Sequence, residues 1–199
     1  IDDFVTNRKT QNIKVMNLSL GVNGSPGLST SIRGKVNTAA DNGIVVVVAA
    51  GNDGGTQETD DPGRAAKVIT VAAGNDINQL TQYTSQGFAP GDSTQGYKPD
   101  VMAPGGSDYY SMITSVDSNT NDAESTSFAD QQANDYLNIK GTSMAAPFVA
   151  GAAGLVEELA GGVERPVVGD LVLGELGRLV GIVLGGDAGR AIVQMADAQ

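Results

Sequence analysis

The segment GIVVVVAAGN, residues 43–52, constrains this chain more than any other. Four consecutive valines follow Ile44 with no polar residue among them to face water. Neither a half-wet strand nor an amphipathic helix tolerates that pattern. A glycine-bounded β-branched run of this kind belongs to a strand covered on both faces, as in a parallel sheet. Its neighbours agree. IKVMNLSLG (13–21) carries apolar residues at Ile13, Val15, Leu18 and Leu20 and reads as a strand that Gly21 ends. A helix is expected between Leu28 and Asn42, with Ser29, Thr30 or Ser31 able to cap it and Gly43 closing it. A further buried strand follows at 68–73, VITVAA. Strand, helix and strand at this spacing imply βαβ units, hence an α/β fold with a mostly parallel sheet flanked by helices.

From 74 to 140 the chain is rich in Ser, Asn, Asp, Gly and Tyr and has few periodic segments. Such stretches are expected as surface loops that carry recognition. A helix starts near Thr142 and runs to about Leu159. Its first half, AAPFVAGAAGL, is dominated by Ala and Gly, which lowers intrinsic helix stability where Gly intrudes but suits close packing on a sheet. Beyond Glu158 the character changes to a Gly-interrupted apolar sequence, with Val172, Leu176, Leu179 and Val183 on one helical stripe. The expected division is therefore 1–158 as the main body and 159–199 as a C-terminal helical segment of the same domain.

Charge and composition remove several functions. A formal net charge of -11 argues against nucleic acid, because phosphate binding needs clustered Lys and Arg. With no cysteine there is neither a disulfide nor a thiolate metal site. No run of about 18 apolar residues reads as a membrane span, and no basic-then-apolar leader is visible. The opening Ile1-Asp2-Asp3-Phe4 reads like the middle of a longer protein. The chain contains no histidine at all.

Four segments carry the chemistry: MNLSLG (16–21), VVVVAAGNDG (45–54), KPDVMAPGG (98–106) and GTSMAAPFVAG (141–151). Taken alone, Thr142 or Ser143 reads as a helix cap. The same place also exposes a hydroxyl beside free backbone N–H groups at the positive end of a helix, where developing negative charge is favoured. Asn52 reads alone as part of an Asn-Asp-Gly turn, yet its amide at the end of a buried strand can also donate to an anion. In this order and spacing the four segments resemble the subtilase family of serine proteases, over about residues 13–158. That resemblance implies peptide-bond hydrolysis through an acyl-enzyme on Ser143, with Asn52 in the oxyanion hole. It implies that Ser19, Leu20 and Gly21 pair with an extended polypeptide substrate by strand addition. Ala49, Ala50 and Gly51 would then form one wall of the specificity pocket. The family is usually exported, so an extracellular location is implied. Asn52 and the GTSMAAP wording favour this type over the related sedolisins, and Phe148 departs from the family's usual His at that place.

The resemblance also exposes a gap. Subtilases order their triad Asp, His, Ser, and no His can precede Ser143 here. Serine is a weak nucleophile unless a base takes its proton. An N-terminal segment supplying Asp and His is therefore an expected partner. The competing class is a subtilase-like scaffold that binds peptides without cutting them. No organic cofactor is implied. Asp117, Asn119, Asn121 and Asp122 alternate as oxygen ligands do in calcium loops, without the Gly and closing Glu of an EF-hand. Subtilases often bind calcium, which makes this loop a candidate site. A nucleotide-binding turn at VVVVAAGNDGG fails for want of G-x-G-x-x-G.

Overall fold

The computed structural model describes residues 1–22, 26–54, 58–87, 98–107, 112–116 and 136–159. Segment 159–199, apart from the helix-ending Leu159, lies outside them, as does the loop 117–122. The elements in chain order are α1 (Asp2–Asn7), β1 (Val15–Leu18), α2 (Pro26–Asp41), β2 (Val45–Ala49), β3 (Ile69–Gly74), β4 (Val101–Pro104), β5 (Ile113–Val116), β6 (Tyr136–Ile139) and α3 (Thr142–Leu159). Strands β1 to β4 form one sheet in sequential order, and each adjacent pair is parallel. In that sheet Val15 pairs with Val45, Val47 with Ile69 and Val71 with Val101.

The valine run is buried on both faces because the strand's period of two sends alternate residues to two separate cores. Val45, Val47 and Ala49 join Ile69, Val71, Ala73, Val101 and Ala103 beneath α3. Val46 and Val48 face the other way, into Met16, Val36, Ala39, Ile44 and Val68, where α2 packs. The helix α3 crosses all four strands of the sheet. It contributes Ala145, Ala146 and Ala153, each fully buried, with Val149 and Val156. Those small residues let the helix axis lie close to the sheet, and this offsets the low helix propensity of the glycines within it.

The segment read as loops, 74–140, contains three short strands. Strand β4 extends the sheet, and β5 pairs antiparallel with β6. Each has four residues with no apolar pattern running on beyond them, and their stability comes from tertiary pairing rather than from local pattern. Among the described residues no helix is long and apolar enough to cross a membrane.

Candidate active site

Three distant segments meet where α3 begins. Gly141, with φ +154°, turns the chain out of β6 into the helix, and its N–H donates to the Gly105 carbonyl (2.9 Å). Gly105 has to be glycine: a Cβ there would lie 2.4 Å from the Ala73 Cβ and 2.9 Å from the Gly141 carbonyl oxygen. The start of α3 is thereby pressed onto the ends of β3 and β4.

Asn52, just past β2, is held by the next residue of the helix. Its Oδ1 accepts from the Thr142 N–H (2.9 Å) and from the Thr142 hydroxyl (3.0 Å). The backbone N–H can only donate, so the amide orientation is set: oxygen toward α3, NH2 outward. The Thr142 hydroxyl, fully buried, in turn accepts from the Gly51 N–H (3.1 Å). Thr142 thus locks two residues of the 49–52 segment. Sequence reasoning treats it only as a cap; its place beside Ser143 was the sole signal available.

Ser143 is docked on β1's extension by a reciprocal pair. Its hydroxyl donates to the Ser19 carbonyl (3.2 Å), and the Ser19 hydroxyl donates to the Ser143 carbonyl (2.8 Å). The second bond exists because of Pro147. Inside a helix the Ser143 carbonyl would accept from the N–H of residue 147, and proline has none. The freed carbonyl takes the Ser19 hydroxyl instead. The Ser143 N–H, in the first turn of α3, is one of the amides that the helix itself leaves without an intrahelical acceptor. The site therefore brings the Ser143 hydroxyl, the Asn52 amide held by Thr142, and the Ser19 edge together.

The other sequence-identified residues fall around this centre. Leu20 and Gly21 continue the exposed edge from Ser19, with Leu20 51% exposed. Ala49 points into the core under α3, and the Ala50 carbonyl accepts the Asp60 N–H (2.8 Å). Gly51, at φ +106°, bonds through its carbonyl to the Ser85 N–H (3.0 Å). Asp117, Asn119, Asn121 and Asp122 lie outside the described residues, among which no cluster of three or more His, Cys, Asp or Glu side chains could hold a metal.

One residue at the site had no sequence signal. Segment 58–64 is fastened beside the Ser19–Gly21 edge by a backbone pair, Val22 N–H to the Asp61 carbonyl (2.9 Å) and Asp61 N–H to the Val22 carbonyl (3.1 Å). Beneath it the buried Asp61 carboxylate contacts Arg33 and Arg64, each at 3.1 Å, and Arg64 also donates to Glu58 (2.6 Å). This fastening carries Asp60 to the backbones of Gly21 and Gly51. Burial raises the Asp60 carboxyl to about 6, helped by the Asp53 carboxylate nearby and by Asp61, with Arg64 pulling the other way.

The profile described as the subtilase family, peptidase S8, matches residues 2–173. That span runs beyond the four motif segments at both ends. An extracellular protease of Xanthomonas campestris pv. campestris is 35% identical over 93% of this chain, which covers 28% of that protein. A subtilisin of Bacillus pumilus is 35% identical over 74% of this chain, covering 43% of its own length. Among solved structures, sphericase superposes with a TM-score of 0.59 at 27% identity, over 78% of this chain and 46% of that one. The chain thus spans less than half the length of each of these relatives. Parallel sheet, flanking helices and the profile match agree: this chain belongs to the subtilase family.

Proposed function

We propose that this chain is the nucleophile-bearing portion of a subtilisin-type serine endopeptidase that hydrolyses peptide bonds through an acyl-enzyme on Ser143. The observation that carries the reading is the convergence of Ser143, Asn52 and the Ser19–Gly21 edge from three separate segments. An extended polypeptide pairs along 19–21, placing its carbonyl carbon at the Ser143 hydroxyl. As the oxygen attacks, its proton passes to a base and negative charge grows on the carbonyl oxygen. The Asn52 NH2 and the Ser143 N–H receive that charge. Removing one such side-chain donor costs about 3–4 kcal/mol of transition-state stabilisation, a magnitude measured in a subtilisin. Collapse of the tetrahedral intermediate expels the amine and leaves the acyl group on Ser143, which water then removes.

The base is the part this chain does not contain. The Ser143 hydroxyl donates to a carbonyl oxygen, which cannot take up its proton at neutral pH. An Asp and a His supplied by residues outside this sequence complete the triad. One relative is named an extracellular protease, which supports an exported location. Zero histidines also favour a second reading, a peptide-binding scaffold without turnover.

The test is release of a chromophore from a peptide anilide by the purified chain. The chain alone is expected to retain no more than the residual ~10³–10⁴-fold acceleration over water that survives loss of triad members. Adding the upstream segment, in cis or as a second polypeptide, restores turnover, and Ser143→Ala abolishes the gain. Rapid labelling of Ser143 in the isolated chain by a serine-directed phosphonate would contradict the need for an added base. Peptide binding with no turnover in the completed protein would establish the scaffold instead.

A further inference from the structure

We propose that Asn17 and Ser19 are positioning residues for the nucleophile. The Asn17 amide orients the Ser19 hydroxyl, and that hydroxyl holds the Ser143 carbonyl in place of the helix hydrogen bond that Pro147 removes. The inference rests on the peptidase reading above and gives two side chains a part in aiming the reacting oxygen.

Register brings both side chains to the helix. Val15 pairs with Val45 and Asn17 with Val47, and both valines of β2 face the core beneath α3. The strand's period of two therefore turns Val15, Asn17 and Ser19 toward the α3 side of the sheet. On β2, β3 and β4 that face carries only Val, Ile and Ala. Strand β1 and its extension put an amide and a hydroxyl there instead, next to the residue that opens the helix. Asn17 and Ser19 are both exposed, so their hydrogen bonds contribute little to stability. Placement, not folding, is what they serve.

The direction of each bond follows from what each group can donate. A hydroxyl has a single proton, and Ser19 gives its own to the Ser143 carbonyl (2.8 Å). The Ser19 oxygen can then only accept from Asn17, whose Nδ2 lies 2.9 Å away. With that lone pair occupied, the Ser19 proton is steered toward Ser143. Pro147 makes the contact matter, because it withholds the N–H that would fix this carbonyl within the helix. The preceding peptide unit is anchored separately, by the Thr142 N–H on Asn52 (2.9 Å). The Ser143 Cα thus stands between two anchored peptide units, which set the direction of its side chain. In the reaction the Ser143 hydroxyl leaves the Ser19 carbonyl for the base, while the bond from the Ser19 hydroxyl does not involve the reacting oxygen and persists.

The test reads kcat and KM on a peptide anilide, in the enzyme completed by its upstream segment, alongside urea unfolding. Ser19→Ala keeps the backbone carbonyl and removes only the hydroxyl. It should lower kcat by about 10- to 100-fold, the scale set by misplacing a reacting group by about 1 Å. KM should change less and stability little. Asn17→Asp cannot donate to Ser19 and draws the Ser19 proton to itself, so it should lower kcat in the same way. Pro147→Ala returns the N–H that the Ser143 carbonyl lacks, and in that background Ser19→Ala should lose most of its effect. If Pro147→Ala itself abolishes turnover, Ser19→Ala and Asn17→Asp decide. An unchanged kcat in Ser19→Ala, an effect confined to KM, or an equal loss with and without Pro147→Ala overturns the positioning role and leaves the peptidase reading intact. No turnover in the completed wild-type enzyme overturns both.

Discussion

Replacing Thr142 by valine removes one oxygen and leaves the side-chain volume nearly unchanged. In the native chain that oxygen accepts from the Gly51 N–H at 3.1 Å and donates to the Asn52 Oδ1 at 3.0 Å. Valine leaves the buried Gly51 N–H with no acceptor, at a cost of about 1–3 kcal/mol. The second bond adds less, about 0.5–1.5 kcal/mol, since Asn52 is exposed and keeps the Thr142 N–H. The sum centres near 3 kcal/mol, or roughly a 6–12 °C fall in Tm for a chain of this size. Thr142→Ser keeps the hydroxyl and loses only a buried methyl, about 1 kcal/mol. Urea unfolding of the three chains provides the comparison. If Asn52 holds the developing oxyanion as proposed, Thr142→Val in the completed enzyme should lower kcat more than it raises KM, because a loosened Asn52 weakens contacts made in the transition state more than those to bound substrate. A valine variant within about 0.5 kcal/mol of wild type, or no less stable than the serine variant, would refute the role given to that hydroxyl.

Two other outcomes follow from the same geometry. The Asp60 carboxyl is raised from 3.8 to about 6, so between those values the native state binds more protons than the unfolded chain, and stability falls as pH rises. Asp60→Asn should therefore raise Tm above pH 6 and lose that advantage below about pH 4; an advantage independent of pH would count against the buried charge. Gly105→Ala drives a methyl into Ala73 and the Gly141 carbonyl, neither of which is a flexible side-chain end. It should cost at least about 1–3 kcal/mol by denaturant unfolding and displace the start of α3, and a near-neutral result would mean the turn at Gly141 can yield.

The fold was legible where the physics is local. Four valines in a row state that both faces of a strand are covered, and the expected strands 13–20, 44–50 and 68–73 contain or nearly contain β1, β2 and β3. The helix expected from Thr142 to about Leu159 is α3. Strands β4, β5 and β6 were not legible, because no apolar pattern runs on beyond their four residues as Ile13 and Leu20 extend that of the equally short β1, and Pro104 closes β4 at once.

The site divides in the same way. Ser143 and Asn52 could be singled out because four short segments resemble the subtilase family in order and spacing; taken alone the two residues read as a cap and a turn. Their partners could not. Ser19 meets Ser143 across 124 residues, and Asn52 meets Thr142 across 90. Asp60 sits in a run, Thr-Asp-Asp-Pro, whose local chemistry is that of any turn. What brings it between Gly21 and Gly51 is the backbone pairing of Val22 with Asp61 and the two arginines beneath. Sequence by itself determined which segments must be buried and where a serine opens a helix, since propensity and periodicity act over a few residues. Only the tertiary structure decided which side chains confront one another, since that depends on strand order and on how closely glycine and alanine let backbones approach.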